Sequence, residues 1–316
     1  MKLGVPRETA QDEYRVALTP SAVRTLRSHA TVLVQQDAGA DAGFLDDDYL
    51  RAGAELVPTA EELWDRSERV IKVRAPTPAE LEYGGAVACF VGLAPVPADT
   101  IAWEQVAYGP RSRPVLRPMS ELAGRLAVLA GARALGREQG GRGVLLANVP
   151  GVGAGRVVVI GAGVVGSAAV STALALGAEV VVFDTDLEAL RLVRGAHTRL
   201  MDDWALEQEL GRADLVIGAV ASHEPGRPSP VVMQREHVSL MQPGSVLVDV
   251  SIDRGGCAET TPLTSLSDPF RVVQGVVHVG VPNLPSSAAA TASAALSDAL
   301  APLLVMLAQT GALPQL

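Results

Sequence analysis

The stretch RVVVIGAGVVGSAAVSTALALGAEVVVFD, residues 156–184, decides the fold. It opens with an apolar run, RVVVI, and continues through the glycine pattern Gly161-x-Gly163-x-x-Gly166 into the small-residue segment SAAVSTALALGA. A second β-branched run, EVVVFD, closes it. A strand, a glycine-rich turn, a helix and a second strand in this order are typical of the dinucleotide-binding unit of Rossmann-type domains.

Each glycine has its own physical role in such a turn. Gly161 permits the tight turn, Gly163 lets backbone amides approach a pyrophosphate, and Gly166 lets the helix lie close to the strand. Val164 and Val165 lie between the glycines, where the helix N-terminus faces the negative charge of the phosphates. We therefore expect these five residues to line a dinucleotide site.

The acidic residue at the end of the second run selects the nucleotide. Asp184 follows the glycine pattern by about twenty residues, the distance at which an acid accepts hydrogen bonds from the ribose hydroxyls. Its charge repels a 2′-phosphate, so that NAD is favoured over NADP. The neighbouring Asp186 and Glu188 are interpreted as solvated acids at a helix start.

Apolar runs alternate with helical patterns along the whole chain, down to the final run RVVQGVVHVGVPN. This alternation predicts an α/β protein of two domains with parallel sheets. We expect a β/α substrate domain at 1–122, a Rossmann-type NAD-binding domain at 123–285 and a C-terminal helix at 286–316. Ligands of open parallel sheets bind at the carboxyl ends of the strands.

The composition excludes several classes of partner. A formal charge of −9 argues against nucleic acid and anionic membrane surfaces, because both bind basic faces. Hydrophobic residues make up 48% of the chain and aromatic residues only 3%, which predicts cores of Ala, Val and Leu. Cys89 and Cys257 match no metal spacing and are interpreted as reduced thiols. With no apparent signal peptide, and with Asp298 and Pro302 in the apolar C-terminal run, we expect a cytoplasmic protein without a metal or a membrane span.

Seven segments, in the same order along most of the chain, resemble the alanine dehydrogenase family, which includes the nucleotide-binding subunit of proton-translocating transhydrogenase. They are GVPRETAQDEYRVALTP, RPMSELAGRLA, GGRGVLLANVPGV, VVVIGAGVVG, ADLVIGAV, PGSVLVDVSIDRGGCAETT and VPNLP. The resemblance implies NAD on the second domain and an amino or keto acid in the cleft between the domains. It also implies that the C-terminal helix completes the substrate domain, and that the chain assembles into dimers or hexamers.

The resemblance assigns roles to single residues. Arg15 matches the arginine that holds the substrate carboxylate, and Asp253 matches an aspartate beside the nicotinamide and the substrate. Asn283 matches an asparagine that lines the cleft, and Met119 matches a residue near the nicotinamide on the substrate side. The cofactor residues implied in addition to the glycine turn and Asp184 are Ser120, Ala219, Val220, Asp253 and Asn283.

Two positions depart from the family. In the segment VACFVGLAPVP, residues 87–97, Gly92 stands where the family has a histidine that transfers protons in deamination. In RVIKVRAP, Arg74 stands where the family has a lysine that contacts the substrate, and Lys72 is expected on the same face of that strand. Arginine stays charged and cannot act as a base. Asp253 with water is then the remaining means of proton transfer.

The same departures bear on the substrate. Arg15 and Arg74 in one cleft favour a strongly anionic substrate or one with a second carboxylate, and we expect both arginines and Asp253 to be catalytic. The chain ends shortly after the helix containing Leu303, so that the final segment of the family's substrate domain is expected to be largely missing. Three further arginines either extend the patch or belong to a charged linker: Arg111, Arg113 and Arg117.

Other titrating groups offer no clear replacement for the absent histidine. Cys89 is the single group of VACFVGLAPVP that could titrate near neutrality. His278 lies in an expected strand and faces either the core or the cleft. The remaining histidines are expected to be solvated, namely His29, His197, His223 and His237.

Three functions remain open. The first is an NAD-dependent oxidoreductase that acts on the C–N bond of an amino or imino acid, by imine reduction or amino-acid oxidation, without efficient alanine deamination. The second is an enzyme that retains NAD for net non-redox chemistry, such as a lyase or cyclodeaminase. The third is a non-catalytic NAD-binding paralogue. A transhydrogenase-like role is disfavoured, because it depends on membrane and NADP-binding partners.

Overall fold

A computed structural model describes residues 1–94, 98–109, 112–222 and 227–313. The chain forms two compact units. We call residues 1–119 with 285–316 the first unit, and residues 120–284 the second unit. Arg111 and His223, both considered from the sequence, lie outside the described residues.

The first unit is built around a sheet of six strands. They are β1 Lys2–Val5, β2 Thr31–Gln35, β3 Glu55–Val57, β4 Arg69–Arg74, β5 Val87–Phe90 and β6 Ile101–Ala102. The helices between them are α1 Pro20–Leu26, α2 Asp46–Ala52, α3 Ala60–Arg66 and α4 Pro78–Leu81. All pairings are parallel, in the order β3-β2-β1-β4-β5-β6. The order reverses between β1 and β4, and ligands of open α/β sheets bind at such a switch point.

The second unit contains a larger sheet. Helix α5, Leu116–Ala134, precedes this sheet in the chain, and most of the helix belongs to the second unit. Its strands are β7 Arg156–Ile160, β8 Glu179–Asp184, β9 His197–Leu200, β10 Leu215–Gly218, β11 Val246–Asp249, β12 Arg271–Val273 and β13 Val276–Val279. Its helices are α6 Val164–Ala175, α7 Leu187–Leu192, α8 Asp203–Leu210 and α9 Arg235–Leu240. The order is β12-β13-β11-β10-β7-β8-β9, parallel except for β12 with β13. The switch point lies between β7 and β10.

Aliphatic residues fill the second unit on both faces of its sheet. Alternate residues of β7 and β8 point to opposite faces and enter two separate hydrophobic clusters. A parallel sheet covered on both faces buries its inner strands, which explains why β7 and β8 contain unbroken apolar runs between their end residues. One cluster includes Val157, Val159, Val180 and Val182, and the other includes Val158, Ile160, Val181 and Phe183.

Helix α10, Ala289–Thr310, belongs to the first unit and packs against α1. Together with the preceding 3-10 turn, it forms the one segment of the described chain that is long and apolar enough to cross a membrane. Half of its most apolar window is buried inside the structure. A single helix of this kind is weak support for a membrane span, because a buried core helix has the same length and composition.

The structure differs from the sequence prediction in its short elements. The run RVVQGVVHVGVPN is not continuous, because β12 and β13 form a hairpin whose turn residues Gln274 and Gly275 have φ of 52° and 79°. Two-residue hairpin turns of this type require positive φ at both positions. The strands β3 and β6 were not predicted either, because they contain only three and two residues, and β9 was not predicted because it is exposed along its whole length.

Candidate active site

Glycines close the turn between β7 and α6. Gly161 has φ of +105°, and a Cβ at this residue would overlap the carbonyl oxygen of Ala219. A Cβ at Gly166 would overlap the carbonyl oxygen of Gly161. Gly163 is the N-cap of α6, and no atom lies within 4 Å of the position that its Cβ would take. The space before the helix N-terminus is therefore open to an anionic group.

Asp184 joins this turn to β8. Its Oδ2 accepts a hydrogen bond from the backbone N–H of Ala162 at 2.5 Å, and its Oδ1 accepts from that of Asp186 at 2.8 Å. A carboxylate has about four lone-pair positions, so the same side chain can brace the turn and still accept from ribose hydroxyls. Asp186 caps α7 by accepting from the N–H of Glu188.

Five adjacent strands of the second sheet direct the expected cofactor residues to one edge. The carboxyl ends of parallel strands meet at the same edge of a sheet, and β13, β11, β10, β7 and β8 are consecutive neighbours. Val164 and Val165 begin α6 at that edge, and Ser120 lies in α5. In the order of the strands, the residues at or just beyond their ends are Asn283, Asp253, Ala219 with Val220, Gly161 and Asp184.

Asp249, the last residue of β11, organises the 3-10 turn that carries Asp253. Burial raises the pKa of the Asp249 carboxyl, while hydrogen bonds from backbone N–H groups favour its charged form. The hydroxyl of Ser251 donates to the carbonyl oxygen of Val220 at 2.5 Å, which fastens the turn to the end of β10. Sequence reasoning missed Asp249, although an acid ending a buried run was a usable signal. Its backbone donors are Ser251, Cys257 and Ala258, at 3.0, 2.9 and 3.1 Å.

Arg15 of the first unit is buried and fixed by Glu13. Its Nε and Nη2 donate to the two carboxylate oxygens of Glu13 at 2.7 and 2.6 Å, and its Nη1 lies 3.4 Å from the Sδ atom of Met119. Only 5% of Arg15 is exposed, so this residue is not a solvated loop arginine. Two residues expected at the substrate are thus in contact, in a loop that follows β1 and in helix α5.

Buried serines of the C-terminal segment hold the loop that carries Arg15. Each Oγ accepts a hydrogen bond from a backbone N–H that has no strand or helix partner. These contacts join parts of the chain more than 270 residues apart, so sequence reasoning missed them. The pairs are Ser286 with Tyr14 at 2.8 Å, Ser293 with Val16 at 3.0 Å and Ser297 with Thr19 at 2.9 Å.

Replacement of Ser293 by alanine tests this support. We expect Ser293→Ala to lower the free energy of unfolding by about 1–3 kcal/mol, because the buried N–H of Val16 would lose its acceptor. Ser293→Thr keeps the hydroxyl and should recover most of the loss. Denaturant unfolding measures both variants. An alanine variant as stable as the parent would contradict the role of this hydroxyl.

Lys72 is buried and already occupied by two carboxylates. Its Nζ lies 3.1 Å from Glu8 Oε2 and 2.8 Å from Glu80 Oε1. Burial alone would lower the pKa of Lys72, but the two carboxylates raise it, so the amine stays protonated. The pairing of β4 with β5 shifts between Ile71 and Arg74, which interrupts the regular alternation of faces expected from the sequence. Lys72 is therefore a structural ion-pair residue.

Arg74 and Gly92 lie at the end of the β4–β5 ladder. Arg74 ends β4 opposite Phe90, two residues before Gly92. Gly92 has φ of +60°, is exposed, and has no atom within 4 Å of the position that its Cβ would take. The buried carboxylate of Glu104 accepts from the N–H groups of Val91 and Gly92, the latter at 2.6 Å, and so fixes this loop. Sequence reasoning missed Glu104.

The remaining titrating groups are accounted for by packing. Burial raises the pKa of Cys89 to about 12, which removes it as a neutral-pH proton carrier. His278 is fully buried, with Nε2 2.8 Å from Thr260 Oγ1 and Nδ1 3.0 Å from the carbonyl oxygen of Val276, and burial lowers its pKa. The expectation that His237 is solvated was wrong, because its Nδ1 accepts from the N–H of Gln234 in a buried helix cap.

Two arginines of the expected linker differ in their placement. Arg113 is half-buried and precedes α5. Arg117 does not lie in a linker but in the first turn of α5, because that helix already begins at Leu116. His29 and His197 are exposed, as the sequence predicted.

Comparison with known proteins agrees with this architecture. Residues 4–123 match the N-terminal domain of the alanine dehydrogenase/PNT family, and residues 127–315 match its C-terminal domain. Alanine dehydrogenase of Halomonas elongata is 44% identical over 98% of this chain and 88% of its own length, and that of Bacillus subtilis is 39% identical over 100% and 88%. A solved L-alanine dehydrogenase superposes with a TM-score of 0.89 at 42% identity, covering 98% of this chain and 91% of the other. A transhydrogenase structure from Sinorhizobium meliloti gives 0.82 at 28% identity, covering 99% and 96%. These matches agree with the two sheets, with both halves of the sequence and with the NAD expected at the glycine turn. The chain therefore belongs to the alanine dehydrogenase/PNT family.

Proposed function

We propose that the protein is an NAD-dependent oxidoreductase that acts on the C–N bond of an amino or imino acid and is a poor alanine dehydrogenase. The supporting observation is the carboxyl edge of the first sheet, where Arg74 and Gly92 occupy the positions that the resemblance gives to a lysine and a histidine. His29 is the only histidine in the sequence of the first unit, and it lies before β2, at the opposite edge. An imidazole of this unit therefore cannot transfer protons at the carboxyl edge.

The second unit fits NAD. The open space at Gly163 and the N-terminus of α6 suit a pyrophosphate, and the carboxylate of Asp184 suits a ribose. When bound, this cofactor exchanges a hydride with the carbon of the C–N bond. We propose that the residues holding it are Gly161, Gly163, Val164, Val165, Gly166, Asp184, Ser120, Ala219, Val220, Asp253 and Asn283.

In this proposal the substrate carboxylate binds to the first unit. Arg15, oriented by Glu13, holds the carboxylate, while Met119 and Asn283 line the substrate. The carboxylate of Asp253 stabilises a protonated imine by its charge and can exchange a proton with water at its Oδ atoms.

Imine reduction makes smaller demands on proton transfer than deamination does. A protonated imine that gains a hydride at carbon becomes a neutral amine, so the hydride step itself needs no further proton. Oxidative deamination also needs water to be activated and its protons removed, which calls for a base such as histidine. Arg74 cannot serve as that base, because its guanidinium stays protonated.

The test follows the absorbance of NADH with purified protein and a panel of 2-oxo acids, each combined with ammonium or with a primary amine. We expect NADH oxidation that requires both the oxo acid and the amine. At equal protein concentration, oxidation of alanine with NAD should be much slower. Absence of NADH oxidation across the whole panel would contradict the proposal.

The same assay separates the alternatives. Consumption of a substrate with retained NAD and no net change in absorbance would identify a lyase or cyclodeaminase. Bound NAD without consumption of any substrate would identify a non-catalytic paralogue. We further propose that the protein works in the cytoplasm as a homo-oligomer, which cell fractionation and light scattering would test.

Restoring the histidine alone should not create an alanine dehydrogenase. The left-handed backbone at Gly92 costs a histidine about 1–2 kcal/mol, and no atom lies within 4 Å of the position that its Cβ would take. Because Arg74 also differs, we expect Gly92→His to raise alanine oxidation by well under the roughly 100-fold that a positioned base provides. Gly92→Asn, which tolerates the same backbone, is the matched control. Robust alanine turnover by Gly92→His would contradict this expectation.

A further inference from the structure

Arg74 differs from the other cations near the switch point of the first sheet in lacking a counter-ion. Arg15 is paired with Glu13, and Lys72 is shared by Glu8 and Glu80. The side chain of Arg74 is half-buried and makes no hydrogen bond or ion pair with any residue that the structure describes. A guanidinium is built to bind a carboxylate through two parallel hydrogen bonds. A guanidinium without a counter-ion, beside an edge where ligands bind, therefore indicates that an anion from outside the chain binds there.

The position of Arg74 relates it to the proposed substrate. Strand β4, which Arg74 ends, pairs directly with β1, and the loop after β1 carries Arg15. Arg74 thus ends one of the two strands that flank the switch point, and Arg15 lies in the loop after the other. On the other side of β4, strand β5 leads to Gly92, which is exposed and has no atom within 4 Å of the position that its Cβ would take. A substrate group that reaches Arg74 therefore meets no side chain from Gly92.

The unused hydrogen-bond donors of Arg74 favour a second anionic group on the substrate. Nε and Nη2 of Arg15 already donate to Glu13, and a single carboxylate bound by Arg15 leaves the guanidinium of Arg74 without an acceptor among the described residues. Lys72 cannot supply another site, because both of its carboxylate partners are within 3.1 Å of its Nζ. One carboxylate on Arg15 and a second on Arg74 would satisfy both guanidinium groups.

We propose that the substrate is a dicarboxylate imino acid, whose α-carboxylate binds Arg15 and whose second carboxylate binds Arg74 beside Gly92. This inference rests on the proposed function for the role of Arg15. Two sources give the same chemistry. The imine forms either from an acidic 2-oxo acid and ammonia, or from a monocarboxylate 2-oxo acid and the amino group of a second amino acid. In both cases a C=N bond replaces the carbonyl C=O bond, and the carbonyl oxygen leaves as water.

The first experiment measures NADH oxidation with three pairs of reactants: pyruvate with ammonium, 2-oxoglutarate with ammonium, and pyruvate with glycine. We expect the parent protein to favour one of the two dicarboxylate combinations over pyruvate with ammonium by about 10- to 100-fold in kcat/KM, the range for a charged hydrogen-bonded pair. The preferred pair of reactants identifies whether the second carboxylate comes from the oxo acid or from the amine.

Variants of Arg74 test whether this residue causes the preference for the dicarboxylate pair. Arg74→Met should abolish it by lowering kcat/KM for the dicarboxylate pair, with little change for pyruvate and ammonium. Arg74→Lys keeps the charge but loses the two parallel hydrogen bonds of the guanidinium. Its preference for the dicarboxylate pair should lie between those of the parent and Arg74→Met. Arg24→Met removes an exposed arginine of α1 in the same unit and should behave as the parent. Preference for pyruvate with ammonium, or equal losses on both kinds of pair in Arg74→Met, would overturn the inference and leave the proposed function standing.

A binding measurement keeps the inference testable without turnover. Glutarate and butyrate, which cannot react, are compared by the thermal shift that they cause in the NAD complex of each variant. A larger shift with glutarate that disappears in Arg74→Met supports the inference even if NADH oxidation fails, in which case only the proposed function falls. Equal shifts with both acids, or no shift with either, would overturn the inference.

Discussion

Replacement of Arg15 by alanine is expected to abolish substrate capture while NAD affinity remains nearly unchanged. Arg15 is buried in the first unit, and the glycine turn belongs to the second. Loss of a hydrogen-bonded charge that meets the substrate carboxylate should raise KM by about 100-fold or more. Steady-state kinetics with the best pair of oxo acid and amine measures KM, and quenching of protein or NADH fluorescence measures nucleotide affinity.

The partner of Arg15 requires a second variant. Arg15→Ala leaves the carboxylate of Glu13 buried without its cation, which alone costs about 3–5 kcal/mol of stability. The double variant Glu13→Gln with Arg15→Met removes both charges at similar volume and should unfold closer to the parent. If it binds NAD normally and still fails to bind substrate, the loss is specific. Equal loss of NAD and substrate in this stable variant would refute the assignment of the two ligands to separate domains.

Local patterns in the sequence predicted the elements that local chemistry determines. The glycine turn depends on three glycines within six residues, and steric overlap at Gly161 and Gly166 requires the absence of side chains there. The long strands β7 and β8 were likewise readable from the chain, because burial on both faces leaves only apolar residues between their end residues. The short strand β9 was not, since it is exposed along its whole length and has no hydrophobic pattern.

The candidate site depends more on distant contacts. The resemblance indicated a role for Arg15, but its clamp by Glu13 and the serine acceptors on α10 arise from contacts that no local pattern encodes. Lys72 illustrates the same limit. The spacing of two residues suggested a shared face with Arg74, whereas Glu8 and Glu80, from a loop and a short helix, determine where its ammonium lies.

Alanine substitutions in the glycine turn should separate NAD binding from folding. A methyl at Gly163 meets no protein atom, so Gly163→Ala should keep the melting temperature of the parent. The methyl would stand where a pyrophosphate approaches the backbone, and NAD affinity should fall by about 10- to 100-fold, the range for a hydrogen bond to a charged group. Calorimetric titration with NAD measures the affinity, and thermal unfolding without ligand measures the stability.

The neighbouring glycine should give a different result. A methyl at Gly166 would overlap the carbonyl oxygen of Gly161, so Gly166→Ala must displace the turn or the helix. We expect it to lose about 1–3 kcal/mol of stability, the usual cost of overpacking, together with NAD binding. Gly153→Ala is the matched control, because its Cβ would also meet open space, outside the turn, and it should change neither property. Normal NAD affinity in Gly163→Ala would mean that no phosphate approaches this backbone, and the cofactor would then have to bind elsewhere.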